Sequence, residues 1–111
     1  RRRISLSEQG TDVLRGPDGE AYQAAGFAYA WENVTRQDGI DALIWHRHVD
    51  HAHEDGLRLG LWENQPGTVS TPHRQRKIYE LFEAAGTDRW REAAAFALPL
   101  IGIQSWDELT P

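Results

Sequence analysis

Two stretches of the sequence carry side chains that could perform chemistry. The first is a short run at residues 4–10, in which Ile4 and Leu6 alternate with serines and Gly10 allows a sharp turn. This pattern predicts a strand that ends in a carboxylate, Glu8. The carboxyl end of a parallel strand is where a (β/α)8 barrel presents its catalytic groups. The alternative for Glu8 is an ordinary exposed acid at a strand end.

The second stretch is a histidine-rich segment that directly follows another apolar run. It contains the spacing His46-x-His48-x-Asp50-His51 and four of the five histidines of the chain. Neutral imidazoles and a carboxylate suit zinc. In an extended strand His46 and His48 would project to one side and Arg47 to the other. His46 or Arg47 could instead be a polar group satisfied within the core.

Both stretches need regular elements to position them, and the sequence predicts a strand, a helix and a second strand. In residues 20–36 small and aromatic side chains recur at helical spacing, and Asp18 is a candidate N-cap. Residues 40–45 are nearly continuously apolar, as in a strand buried on both faces. This order predicts a parallel sheet and hence an α/β protein.

The rest of the chain predicts shorter elements. Thr71 and Pro72 are typical of an N-cap and a first helical position, and Pro99 is expected to end a helix. Residues 57–62 are expected to form an extended loop or an extra strand. Two helices are expected at residues 72–85 and 89–97, an extended piece at residues 100–103 and a last turn at residues 105–109.

Composition narrows the class of protein. The 111 residues carry a formal net charge of −5, which argues against a nucleic-acid partner. There is no cysteine, so disulfides and thiolate metal sites are excluded. No apolar run is long enough to cross a bilayer, and no membrane partner is expected. The five tryptophans suit either core packing or stacking on a sugar ring.

Four blocks in a fixed order carry a resemblance to a known family: ISLSEQG, AAGFAYAWENV, IDALIWHRHVDHAHEDGLRLGLW and FALPLIGIQSWDEL. They resemble the C-terminal part of an uncharacterised bacterial family of glycoside-hydrolase-like barrels, a domain of unknown function. The first block is similar to the seventh strand of clan A retaining glycosidases, which ends in a glutamate nucleophile.

The resemblance implies the C-terminal βα units of a TIM (β/α)8 barrel, incomplete in this chain because such a barrel needs about 250 residues. The chain would be a single fragment. Residues 1–39 would form the seventh βα unit and residues 40–86 the eighth, with its active-face loop. Residues 87–111 would form a C-terminal helix and tail.

The implied function is retaining hydrolysis of a glycosidic bond, with Glu8 as the nucleophile and the acid/base residue outside this chain. Six residues are implied to bind the carbohydrate: Trp45, His46, Arg47, His48, Asp50 and Trp62. No cofactor is required. The implied partner besides the carbohydrate is the remainder of the chain's own polypeptide, without which the fragment is expected to be inactive. Localisation stays open, with secretion or the periplasm as candidates. For Trp62, a role in the core or as a lid remains an alternative.

Two other interpretations remain. The H-x-H-x-D-H spacing resembles the signature of the metallo-β-lactamase superfamily and would make the protein a zinc-dependent hydrolase, with the ligands His46, His48, Asp50 and His51. Against it, Ala52-His53-Glu54-Asp55 follow where glycines are usual, and beyond this segment only His73 remains downstream. The third interpretation is a non-catalytic carbohydrate-binding or structural fragment, in which Glu8 has no acid partner.

Overall fold

The computed structural model describes residues 4–13 and 16–110, apart from the side chains of Ser7 and Glu8. The first half is a β-α-β unit made of β1 (Ile4–Gln9), α1 (Gly19–Thr35) and β2 (Ile40–Trp45). Strands β1 and β2 pair in parallel. The predicted strand–helix–strand order is therefore confirmed, and the protein is α/β.

Helix α1 covers one face of this two-stranded sheet. Leu43 and Trp45 pack towards the helical core, where the Trp45 ring meets Phe27 edge-on at 5.1 Å between centroids. Alternation along the strand directs Ile44 to the other face, and Ile44 is 52 % exposed. Ile4 in β1 is 55 % exposed. The face of the sheet away from the helix thus carries an exposed apolar side chain, Ile44, and Ile4 is exposed at the start of β1.

The second half adds a β-hairpin and short helices. Its elements are β3 (Trp62–Asn64), β4 (Pro72–Gln75), α2 (Lys77–Ala84), α3 (Trp90–Ala94), α4 (Ala97–Ile101) and a 3-10 turn (Trp106–Glu108). Strands β3 and β4 are antiparallel.

The hydrophobic core lies between α1 and the helices that follow the hairpin. Phe27 on α1 meets Trp90 on α3 edge-on at 6.1 Å, and Ile78 and Leu81 of α2 are fully buried. The indole Nε1 of Trp90 donates to the buried carboxylate of Glu32 at 2.6 Å. The layer of helices therefore holds α1, and with it the sheet, in place.

The predicted helix start at Thr71 and Pro72 is wrong. Pro72 opens β4, and the helix begins only at Lys77. The amide of Thr71 donates to Oδ1 of Asn64 at 2.7 Å, and the carbonyl of Thr71 accepts from the amide of Gln65 at 2.7 Å. These bonds close the β3–β4 hairpin, and its pairing prevails over the local helix-start signal.

The C-terminal predictions need a similar correction. The single helix expected over residues 89–97 is two helices, and Pro99 lies inside α4 instead of ending a helix. Pro99 is the third residue of α4, where the missing amide hydrogen costs no intrahelical bond. The stretch 100–103, expected to be extended, completes α4 and turns at Gly102. The last turn is confirmed, with a capping box between Ser105 and Glu108.

Within residues 4–13 and 16–110, no helix is both long enough and apolar enough to cross a membrane.

Candidate functional site

The carboxyl ends of β1 and β2 lie side by side. The backbone amide of His46, just past β2, donates to the carbonyl of Gln9 at 2.7 Å. Gly10 follows so closely that a Cβ there would lie 2.5 Å from the carbonyl oxygen of His46. The backbone of Glu8 belongs to β1, one residue before Gln9. The side chain of Glu8 lies outside the described residues.

Loops from both strands meet above this edge. The amide of Val13, in the loop after β1, donates to the carbonyl of Arg58 at 2.9 Å. In return, the amide of Arg58 donates to Oδ1 of Asp12 at 2.6 Å, and its guanidinium donates to the carbonyl of Val13. The loop after β1 and the loop after β2 are thus joined, as a site built from strand-end loops requires.

The first two residues after β2 share one carboxylate. Nε2 of His46 lies 3.1 Å from Oε1 of Glu54, and the guanidinium of Arg47 forms an ion pair with the same oxygen. The His46–Arg47 peptide bond is cis. Nε of Arg47 is buried and has no hydrogen-bond partner in the part of the chain that the structure describes. His46 and Arg47 are both half-buried, so the cluster reaches solvent.

Asp50 lies deeper and is fully engaged. Its two oxygens accept from the two terminal nitrogens of Arg76, at 2.8 and 2.6 Å, and Oδ1 also accepts from the amide of Gly60 at 2.7 Å. Arg76 and Gln23 both donate to the carbonyl of Gly60, at 3.0 and 3.1 Å. Asp50 is therefore buried at the base of the loop, where it binds Gly60 and Arg76, below the rim at which the sequence suggested it.

The other histidines of the segment do not bond to Glu54 in the described part of the chain. His48 is exposed, and its carbonyl accepts from the amide of Trp62 at 3.0 Å. Nδ1 of His51 accepts from the amide of His53, and the two imidazole rings lie 5.4 Å apart. Among the described side chains, no three His, Asp or Glu groups are gathered to hold a metal ion. The proposed ligand set for zinc therefore has no support in their arrangement.

The two tryptophans predicted to bind substrate are half-buried. Trp45 packs against Phe27, and its Nε1 is buried without a partner among the described residues. Trp62 in β3 packs edge-on against Tyr79 of α2 at 5.7 Å. Both rings touch the core, so each has at most one edge or face left for a ligand.

The hairpin beside the cluster carries an exposed charge network. Arg74 of β4 binds Glu20 of α1 and Glu63 of β3, the latter at 2.8 Å. The hydrogen bond from Arg74 lowers the pKa of the Glu63 carboxyl below its ordinary 4.5, against a smaller opposing effect of burial. Glu20 and Glu63 raise the pKa of the Arg74 guanidinium. The network ties the hairpin to α1.

Sequence reasoning missed Glu54 and Arg76 as members of this arrangement. Glu54 lies in the histidine-rich segment, and its acidity beside so many basic groups was an available signal. Arg76 immediately precedes the apolar stripe of α2, which marks it as a cation at the border of the core. Neither signal identifies the partner, because Asp50 and Arg76 are brought together only by the hairpin between them.

Together, the parallel β-α-β unit and its loops define an α/β protein with a polar site at the carboxyl edge of the sheet. Residues 1–109 match DUF5722, a family of unknown function, and the chain belongs to this family. No curated protein and no solved structure matches the chain.

Proposed function

We propose that this chain forms the last two βα units of a (β/α)8 barrel that hydrolyses glycosidic bonds with retention of configuration. Glu8 is the nucleophile. The partner carboxylate and the other strands come from a part of the polypeptide outside this chain. The family DUF5722 is one of unknown function, so the proposal rests on the resemblance of the sequence blocks to retaining glycosidases and on the geometry where β1 and β2 end.

The exposed face of the sheet supports the barrel. Parallel strands are normally covered on both faces, and a two-stranded sheet alone is marginally stable. Here α1 covers one face, while Ile44 and Ile4 leave apolar surface on or beside the other. In a closed barrel, strands on both sides and the side chains of the interior would bury that surface.

One contact carries the proposed active site: the hydrogen bond from the amide of His46 to the carbonyl of Gln9. It sets the end of β1, where Glu8 lies, beside the start of the His46–Glu54–Arg47 cluster. Barrel enzymes build their active sites from the residues that follow neighbouring strands at this edge. A carboxylate nucleophile on one strand and hydrogen-bonding side chains on the next fit that pattern.

The proposed reaction is a double displacement. An oxygen of the Glu8 carboxylate attacks the anomeric carbon, the glycosidic C–O bond breaks, and the second carboxyl group protonates the leaving oxygen. That second group then takes a proton from water, which displaces Glu8 from the anomeric carbon. The two carboxyl groups in such enzymes are about 5–5.5 Å apart.

The binding residues take different parts in this proposal. His46, Arg47 and His48 supply hydrogen bonds to sugar hydroxyls, and Trp45 and Trp62 supply ring edges or faces at the border of the pocket. Asp50 contributes indirectly, because its carboxylate fixes the loop through Arg76 and Gly60. No cofactor takes part.

The test is covalent trapping in the full polypeptide that carries this chain. A panel of dinitrophenyl 2-deoxy-2-fluoroglycosides should lose dinitrophenolate and leave the fluorosugar esterified to Glu8, identified by peptide mass mapping. Glu8→Gln should abolish labelling and turnover. Glu83→Gln, a matched change on the exposed side of α2, should leave both intact.

Labelling of a different residue, or unchanged turnover in Glu8→Gln, would contradict the proposal. Binding of sugars without labelling or turnover would instead favour a non-catalytic carbohydrate-binding protein.

A further inference from the structure

The Glu54 side chain contacts both residues that follow β2, His46 and Arg47. Oε1 of Glu54 is 3.1 Å from Nε2 of His46 and also pairs with the guanidinium of Arg47. The Glu54 side chain is only 18 % exposed, whereas that of His46 is 35 % exposed. The more buried Glu54 carboxylate therefore contacts the more accessible His46 imidazole.

The chemistry of the pair sets the position of a proton. A carboxylate paired with a guanidinium is ionised at neutral pH and can only accept hydrogen bonds. Nε2 of His46 must therefore carry the hydrogen in this contact. In the neutral imidazole, Nδ1 is then the unprotonated nitrogen. No described residue donates a hydrogen bond to this nitrogen.

We propose that Glu54 is a positioning residue that holds His46 in the Nε2–H tautomer and so presents Nδ1 as an acceptor for a hydroxyl group of a carbohydrate substrate. The part played by the hydroxyl rests on the proposed function. The tautomer itself follows from the contact between His46 and Glu54. Arg47 contributes by holding the Glu54 carboxylate in place through its ion pair.

The tautomer can be read directly from ring nitrogens. Two-bond proton–nitrogen NMR spectra of the full polypeptide, labelled with 15N-histidine and recorded near pH 8, distinguish protonated from unprotonated ring nitrogens. Wild-type His46 should show a protonated Nε2 and an unprotonated Nδ1. Glu54→Ala should give a mixture of the two tautomers. Glu54→Gln should return the wild-type pattern, because its amide oxygen can accept the same bond.

Asp55→Asn is the matched control. Asp55 is the neighbouring exposed carboxylate, and its φ of 54° is one that asparagine tolerates. This variant should leave the His46 tautomer unchanged. An Nδ1–H tautomer in the wild type, or an unchanged tautomer in a folded Glu54→Ala variant, would overturn the proposal.

Kinetics tests the substrate contact separately. On a glycoside that the wild type hydrolyses, Glu54→Ala should lower kcat/KM by about 3- to 10-fold, the worth of one hydrogen bond, and Glu54→Gln should recover most of it. If the His46 tautomer changes in Glu54→Ala as expected but the wild type hydrolyses no glycoside, both the proposed function and the hydroxyl contact are contradicted. If Glu8 is trapped but kcat/KM is unaffected in Glu54→Ala, only the positioning role falls.

Discussion

Both terminal nitrogens of Arg76 bind the two carboxylate oxygens of Asp50, and the Arg76 side chain is only 3 % exposed. The pair joins the end of the β3–β4 hairpin to the loop that follows β2. Oδ1 of Asp50 also takes the amide of Gly60. These hydrogen bonds hold the hairpin and the loop in one relative position. Removing either partner of the buried pair would leave an uncompensated charge, which strongly destabilises a folded protein.

Asp50→Ala should therefore lower the free energy of unfolding by about 3–5 kcal/mol, measured by urea denaturation of the full polypeptide. The control is Asp107→Ala, which removes an exposed carboxylate 3.8 Å from Arg36 and 3.6 Å from Arg91 and should cost about 0–1 kcal/mol. The double variant Asp50→Ala/Arg76→Met should cost less than the sum of its parts. Equal losses in Asp50→Ala and Asp107→Ala would contradict the assignment.

Gly10→Ala should force the ends of β1 and β2 apart, because the new Cβ would lie 2.5 Å from the carbonyl oxygen of His46. We expect a loss of about 1–3 kcal/mol in the free energy of unfolding, and faster hydrogen exchange at the His46 amide. Gly56→Asn is the control. Gly56 has a φ of 80° and nothing within 4 Å, and asparagine tolerates this conformation. Normal exchange at His46 in Gly10→Ala would argue against the close approach.

The Glu63–Arg74 pair predicts a pH dependence of stability. The pKa of Glu63 is lowered in the folded protein, so the carboxylate binds protons less readily there than in the unfolded chain. Its contribution is fully present above the ordinary pKa of 4.5 and is lost as the pH falls below 4.5 through the folded pKa.

NMR titration of the Glu63 side-chain carboxyl should give a midpoint below 4.5, and Arg74→Gln should move it upwards. Lys77→Gln serves as the control, because it removes a neighbouring cation that pairs with Glu80 instead. A Glu63 titration midpoint that is unchanged in Arg74→Gln would show that Arg74 is not the cause of the lowered pKa.

Chelation should leave the protein unchanged. His46 binds Glu54, Asp50 binds Arg76, and His51 accepts from a neighbouring backbone amide. We expect EDTA treatment of the full polypeptide to alter neither its melting temperature nor the glycoside hydrolysis that we propose for it. Stoichiometric zinc, with activity lost on its removal and restored by its return, would support the zinc-dependent alternative.

The first half of the fold was predictable because its signals are local. The alternation in β1, the helical spacing in α1 and the apolar run of β2 each fall within one element, and the order strand–helix–strand implies parallel pairing. The hairpin was not predictable from its own residues. Pro72 suits a first helical position, but the bonds of Thr71 with Asn64 and Gln65 close a turn. Pro72 therefore lies in β4.

The candidate site, too, has a part that the sequence indicated and a part that only the structure shows. The segment at residues 46–53 stood out in the sequence because it holds four histidines directly after an apolar run. The binding role of Trp45, His46, Arg47, His48 and Asp50 was implied by the family resemblance and stays a prediction. The contacts of Glu54 with Arg47 and of Arg76 with Asp50 could not be predicted in this way. They depend on how the loop and the hairpin fold back, which the local residue pattern does not show. The depth of Asp50 is also a tertiary property, because it results from the packing of Arg76 beneath the loop.

The bond between Asp50 and the Gly60 amide has a consequence for how the loop tolerates changes in length. It closes the neck of the loop at residues 50–60, and Arg76 and Gln23 hold that neck from two different elements. The bond itself joins only the two ends of the loop, and Ala52, His53, Asp55, Gly56 and Leu57 between them are exposed. Insertions and deletions at the tip would therefore be tolerated by the scaffold. Changes at the tip of this loop would therefore alter the surface at the carboxyl edge of the sheet and leave the bonds at its neck in place.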